Sequence, residues 1–306
     1  MSEAFPAATL PRPLQRPFPR SRVQSNFKQE TFVSTVLKLI APPGACDCHM
    51  HIYDPRFRAA PSWPMPLPDA PVAAYRLVQR QLGLSRAVIV QPNGYMFDNA
   101  CAEDALRQMG AAARGVATVR PDIADAEIER LTKAGFRGAR CHMLKGGFLS
   151  WEDVETIAAR VHPFGWHVQV QLDGRELPQF EHRLSGLAVD VVIDHNGKFL
   201  EPVPTKHPAF GVLLRLLGRG NFWVKLSAPY ETSKTGAPCY DDVSALAGAL
   251  AAAHPDRCVW ASNWPHPGAN PAPSNPAMLD LLLAWAPDET MRRKILVDNP
   301  VRLYRF

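Results

Sequence analysis

From Ala45 onward the chain alternates strand-like and helix-like runs, and this repetition limits the fold more than any other feature. The first strand-like run covers 45–53. Seven more fall near 86–91, 114–119, 137–142, 167–172, 189–194, 222–227 and 258–263. Helix-like runs lie between them near 72–82, 98–112, 125–134, 151–162, 175–184, 207–218 and 241–254, and a last helical region covers about 276–297. Strands separated by helices pair in parallel. Eight such units predict an α/β chain folded as a (β/α)8 TIM barrel. An open doubly wound sheet would want a Gly-rich phosphate loop after an early strand. Here the first strand runs instead into a Pro-rich loop over 54–71 that contains Trp63, Pro64, Met65 and Pro66. Gly83 is expected to close the first helix.

The 306 residues, 46% of them apolar, suffice for one large domain with a sizeable core. The expected division is a flexible, basic, Pro-rich arm over 1–42 and a barrel over 43–306. The arm holds Pro6, Pro11, Pro13, Pro17 and Pro19, which forbid regular structure. It also holds most of the charge. Arg12, Arg16, Arg20, Arg22, Lys28 and Lys38 against Glu3 and Glu30 account for four of the five net positive charges. The body is nearly neutral, so a nucleic-acid partner is not indicated. No apolar run is long enough to span a bilayer, and no signal-peptide pattern opens the chain. Six cysteines without the density of a disulfide scaffold read as thiols in a reducing compartment, and the expected location is cytoplasmic.

In such a barrel the chemistry sits at the C-terminal ends of the strands. Alternation puts His49 and His51 on one face of the first strand, with Asp47 below them. It turns Cys46, Cys48, Met50 and Ile52 toward the helices. Strand two ends in Gln91 and Asn93, and strand four in Arg140 and His142. Strand five carries Gln169, Gln171 and Asp173 on one face. Strand six ends in Asp194-His195, strand seven offers Lys225 and Ser227, and strand eight offers Ser262-Asn263 with His266 close by. Imidazoles, an arginine, a lysine and amides suit an anionic substrate with a polarised carbonyl. The His-x-His pair and His195 also echo a metal site. Asn263 brings no carboxylate, however, strand five offers glutamines, and His167 starts its strand at the far end. These features argue against a tightly held metal.

The segments Cys48-His49-Met50-His51, Ile193-Asp194-His195-Asn196-Gly197, Asn263-Trp264-Pro265-His266 and Asp298-Asn299-Pro300 resemble the amidohydrolase superfamily. The resemblance runs from about Pro43 to Tyr304. It points to the branch that contains 2-pyrone-4,6-dicarboxylate lactonase and D-galactarolactone isomerase. It implies a TIM barrel that works without a cofactor, with zinc or manganese as the alternative. Asn263 stands where the lactonase pattern has an aspartate. Lys145 is followed by Gly146-Gly147 rather than by an arginine, and Tyr230-Glu231 replaces an arginine after strand seven. Gln171-Leu172-Asp173-Gly174, Lys198-Phe199 and Tyr230-Glu231 resemble the isomerase, whereas His49 keeps the lactonase pattern.

The resulting expectation is acyl transfer at the carbonyl of a carboxylated, aldaric-acid type lactone, in the manner of the isomerase. Hydrolysis of the pyrone-dicarboxylate type is the close alternative. A metal-dependent amidohydrolase or decarboxylase and a non-catalytic sugar-acid binder stand further off. His49, His51, His195 and Asn263 are the candidate catalytic residues, a histidine moving the proton. Arg140, Lys225, Gln171, Asp173 and Tyr230 are the candidate substrate contacts, and Asp173 or Asp194 would supply a carboxylate. The expected partner is a small anionic lactone, with no nucleic acid or membrane, and a homo-oligomer is compatible with the sequence.

Overall fold

The computed structural model describes Met1 and residues 37–306. The expected arm over 1–42 therefore lies largely outside the described residues. Its final stretch does not. Leu39 is buried, and the Lys38 and Leu39 amides donate to the Asp280 carboxylate at 3.0 and 2.8 Å.

Eight parallel strands pair in sequence order. They are β1 (Cys46–Met50), β2 (Arg86–Val90), β3 (Ala113–Ala117), β4 (Phe136–His142), β5 (His167–Gln171), β6 (Val191–Ile193), β7 (Phe222–Leu226) and β8 (Cys258–Trp260). The barrel closes past the end of β8, where Asn263 N donates to His49 O and His51 N to Trp264 O, both at 2.8 Å. The strands follow one another through α1 (Val72–Gln81), α2 (Ala100–Met109), α3 (Asp125–Ala134), α4 (Trp151–Val161), α5 (Leu177–Ser185), α6 (Pro208–Gly218) and α7 (Asp241–Ala253). This is the (β/α)8 barrel that the alternation predicts. Gly83, at φ +68°, takes the left-handed position just past α1, as expected.

The last helical region is broken rather than continuous. It comprises α8 (Asn275–Asp280), α9 (Leu282–Trp285), α10 (Glu289–Arg293) and α11 (Asn299–Tyr304), with a π-turn over Lys294–Asp298. The breaks have local causes. Pro287 stops α9 and Asp288 caps α10 through Met291 N at 2.9 Å. Pro300 has no amide to return to the preceding turn, and the π-turn sits just ahead of it.

The parity expected of β1 is corrected. Its register to β2 shifts between Asp47 and Met50. The irregularity changes which side chains share a face. Asp47 does not lie below the histidines. Its carboxylate accepts from Tyr75 Oη of α1 at 3.0 Å and from Ser262 N at 2.9 Å, between strand and helix. Cys46 and Cys48 do not face the helices either. They pack with Val88, Val90, Val116, Val192, Trp223, Val259 and Tyr304, which fill the lower interior of the barrel. His167 lies there too, edge-on to Tyr304 at 5.3 Å, at the end opposite the chemistry as expected.

Candidate active site

Above that apolar floor the barrel interior becomes polar. Lys225 is fully buried. Its ammonium donates to Gln169 Oε1 at 2.5 Å and to His49 Nδ1 at 3.1 Å, and lies 3.5 Å from Asp194 Oδ1. Gln169 Nε2 donates to Asp194 Oδ2 at 3.0 Å. Burial alone would raise the Asp194 carboxyl, but the Lys225 and Arg140 charges and the Gln169 hydrogen bond hold it below its usual range. Burial pulls Lys225 down, Arg140 adding to it and Asp194 opposing it.

The tautomers of the His-x-His pair follow from their partners. His51 Nδ1 donates to Val90 O at 2.8 Å, so its Nε2 keeps the lone pair. His49 Nε2 lies 3.2 Å away and donates to it. His49 Nδ1 is then the acceptor that Lys225 needs. Both rings are neutral. Burial and Lys225 hold His49 far below its ordinary value, and burial with Arg140 holds His51 at about 3.

His195 differs. Its Nδ1 meets Ser227 Oγ at 2.8 Å, and its Nε2 has no partner among the described residues. Burial lowers its pKa well below the ordinary value, so the ring is neutral at physiological pH. It stands on strained backbone. His195, Asn196, Gly197 and Lys198 all have positive φ, between 47° and 88°, and Ala228, Asn263 and His266 follow after β7 and β8 at 47°, 60° and 63°. Each such non-glycine residue costs on the order of 1–2 kcal/mol, and such strain clusters at functional sites.

Asn263 is held by two acceptors. Its Nδ2 donates to Tyr230 Oη at 2.8 Å and to Glu231 Oε1 at 2.9 Å. Tyr230 Oη donates to His266 Nδ1 at 3.0 Å, and His266 Nε2 donates to Asn275 Oδ1 at 2.8 Å. Oδ1 of Asn263 is the acceptor that remains. Across the barrel, Arg140 donates to Gln91 O at 2.8 Å, Asn93 Oδ1 at 3.1 Å and Gln171 Oε1 at 3.0 Å. Gln171 Oε1 also accepts from His142 Nδ1 at 3.1 Å.

The structure thus brings His49, His51, His195, Asn263, Arg140 and Tyr230 into one mouth and sorts the others. Gln171 holds Arg140 and His142 in place. Lys225 acts beneath His49, with its donors committed. Asp173 closes its own loop, accepting from Arg175 Nε at 2.8 Å and Leu200 N at 3.3 Å. Two charged residues escaped the strand-end reading, which met them only inside the resemblance. Lys198, almost fully buried, forms an ion pair with Glu231. Burial, with the Arg140 charge, pulls the Lys198 ammonium down to about 8, and the Asp194 carboxylate opposes that loss of charge. Lys198 follows the left-handed turn and Glu231 follows β7, where strand parity no longer applies.

The comparisons agree with this architecture. An amidohydrolase family model matches residues 46–306. This chain belongs to the amidohydrolase family. It is 36% identical over 272 residues to D-galactarolactone isomerase of Agrobacterium fabrum, covering 87% of this chain and 92% of that one. It is 34% identical to 2-pyrone-4,6-dicarboxylate hydrolase of Comamonas testosteroni, covering 86% and 90%. An apo crystal structure from Agrobacterium tumefaciens, 36% identical, superposes with a TM-score of 0.83 over 87% of this chain and 97% of that one. The family and the mouth together mark this chain as an enzyme. Among the described residues no helix is long and apolar enough to cross a membrane.

A crystal structure of an amidohydrolase from Burkholderia multivorans, 19% identical with a TM-score of 0.68, has zinc bound, and in this chain His49, Asp194 and His195 bring ligand atoms within 4.8 Å of one another. In the arrangement seen, two of those atoms are already engaged. The Lys225 ammonium already lies against His49 Nδ1 and Asp194 Oδ1. His49 Nε2, which carries the proton, has no lone pair to give.

Proposed function

We propose that this enzyme isomerises a carboxylated aldaric-acid lactone by transferring the acyl group to a hydroxyl of the same molecule, without a metal. The observation that carries this reading is the state of the β8 end. Asn263 stands there with its Nδ2 committed, so that position offers no carboxylate to activate water. A hydroxyl already on the substrate arrives positioned for attack. His195 Nε2 takes the hydroxyl proton, a role open to it because the ring is neutral. The new C–O bond forms at the lactone carbonyl, and Arg140 and Lys198 face the oxyanion. The tetrahedral intermediate then releases the former ring oxygen, which takes the proton back from His195. No water is consumed and no net proton moves.

His49 and His51 form the tautomer-fixed wall beside His195, and Lys225 supplies them with a fixed positive charge. Asn263 Oδ1 accepts from the substrate, and Tyr230 and Glu231 set its direction. Hydrolysis is the second reading, favoured by the 34% identity to a pyrone-dicarboxylate hydrolase. A panel of aldarolactones and pyrone dicarboxylates followed by NMR tests the reading, since it reports turnover and product together. Conversion of an aldarolactone to its ring isomer is expected. Turnover of pyrone dicarboxylates alone would refute it.

A further inference from the structure

The mouth has a countable charge. Among the described residues, Arg140, Lys198 and Lys225 bring three positive charges and Asp194 and Glu231 two negative ones. Burial keeps His49, His51, His142 and His195 neutral. One net positive charge is left. The nearby pairs Asp173–Arg175 and Glu201–Lys234 cancel internally, Asp47 lies outside the barrel, and Lys145 is exposed to screening solvent.

Lys225 and Asp194 compensate each other at full burial, so an entering ligand meets Arg140, Lys198 and Glu231. Glu231 decides the balance. Its side chain is 19% exposed, one oxygen accepts from Asn263, and the other meets Lys198. A ligand with one carboxylate neutralises the mouth. A second carboxylate would find Lys198 already paired and would face the Glu231 charge with no cation to spare, which is costly in a desolvated site.

We propose that Glu231 is a specificity residue that, by pairing with Lys198, sets the mouth to take a lactone bearing a single carboxylate and to turn away a dicarboxylate. This rests on the lactone reading above and adds the charge class of the substrate. An aldaric-acid monolactone carries one carboxylate, and pyrone-4,6-dicarboxylate carries two.

The test is Glu231→Gln in the full chain, which keeps an acceptor for Asn263 and removes only the charge. Equilibrium binding and kcat/KM are measured with an aldaric monolactone and with pyrone-4,6-dicarboxylate. The ratio of the two affinities should move toward the dicarboxylate by about tenfold or more. A purely structural Glu231 would move both ligands together, so a ratio unchanged within about twofold would overturn the proposal. If Glu231→Gln does not fold, Lys198→Met serves instead. It should weaken monolactone binding by about tenfold, and unchanged binding would be equally fatal. If the wild type turns over neither lactone and the binding ratio still shifts, the isomerase reading falls and the charge assignment stands. If the wild type isomerises the monolactone and the ratio stays fixed, only the charge assignment falls.

Discussion

The two ends of the barrel interior are built on opposite principles. The floor is Cys46, Cys48, Val88, Val90, Val116, Val192, Trp223 and Val259 under Tyr304, an apolar plug. The mouth, one layer up on the same strands, buries a lysine, an aspartate and three imidazoles in hydrogen bonds that leave little slack. It also spends backbone strain that the floor does not, at His195, Asn196, Lys198, Ala228 and Asn263. The floor can therefore be expected to set stability and the mouth to set rate, with Lys225 and Asp194 belonging to both.

That division can be broken first at Lys225. Lys225→Met leaves Asp194 and Gln169 buried without their cation, and should cost about 3–5 kcal/mol of stability as well as most of the activity. A thermal shift of only a degree or two would show that the buried charges are not coupled. At the mouth proper, His195→Gln should lower kcat by on the order of 10²-fold or more. Its melting temperature should stay close to that of the wild type. A loss of stability with kcat per folded molecule unchanged would place His195 with the structural residues.

On the floor, Cys46→Ser puts a hydroxyl among Val88, Val259 and Tyr304. It should cost about 1–3 kcal/mol in a denaturant melt and leave kcat of the folded fraction unchanged. Acidification sharpens the same contrast. His49, His51 and His195 have folded pKa values below their unfolded value of 6.5, so below that pH the unfolded chain takes up protons that the native mouth refuses. Stability is then flat above 6.5 and falls as the pH drops toward 3, by up to about 1.4 kcal/mol per pH unit for each ring. Melting temperatures from pH 7 to pH 4 check this. His195→Gln should reduce the slope, and Cys46→Ser should not. The smallest effect concerns the entry to the barrel. Removing residues through 40 discards buried Leu39 and the Lys38 and Leu39 amide bonds to Asp280, and should cost about 1–2 kcal/mol more than removing residues through 36.

The strands and helices were legible in the sequence because parallel strands and amphipathic helices repeat with fixed periods, whereas the floor was missed with Cys46 and Cys48. The register of β1 was not legible. The irregularity between Asp47 and Met50 reverses the faces of Cys46, Asp47 and Cys48 relative to the histidines, and nothing in Cys-Asp-Cys-His-Met-His announces it. The histidines were still found, since His49 and His51 share a face by ordinary alternation. Arg140, His195 and Asn263 were legible because they lie at strand ends. Lys198 and Glu231 were not, because they follow left-handed backbone after β6 and β7, where alternation gives no direction. Lys225 was read as a ligand contact, since a sequence shows that a lysine is in a strand but not that three neighbours already hold its ammonium.

The metal-independent account makes chelation a weak perturbation, and activity should survive prolonged treatment with a chelator. The central claim, that the acceptor is a substrate hydroxyl rather than water, is tested most directly by running the reaction in oxygen-18 water and reading the product by mass spectrometry and NMR. The account predicts a ring-isomer lactone with no heavy oxygen. An open-chain acid with one solvent oxygen per turnover would contradict it and show that the mouth activates water despite Asn263.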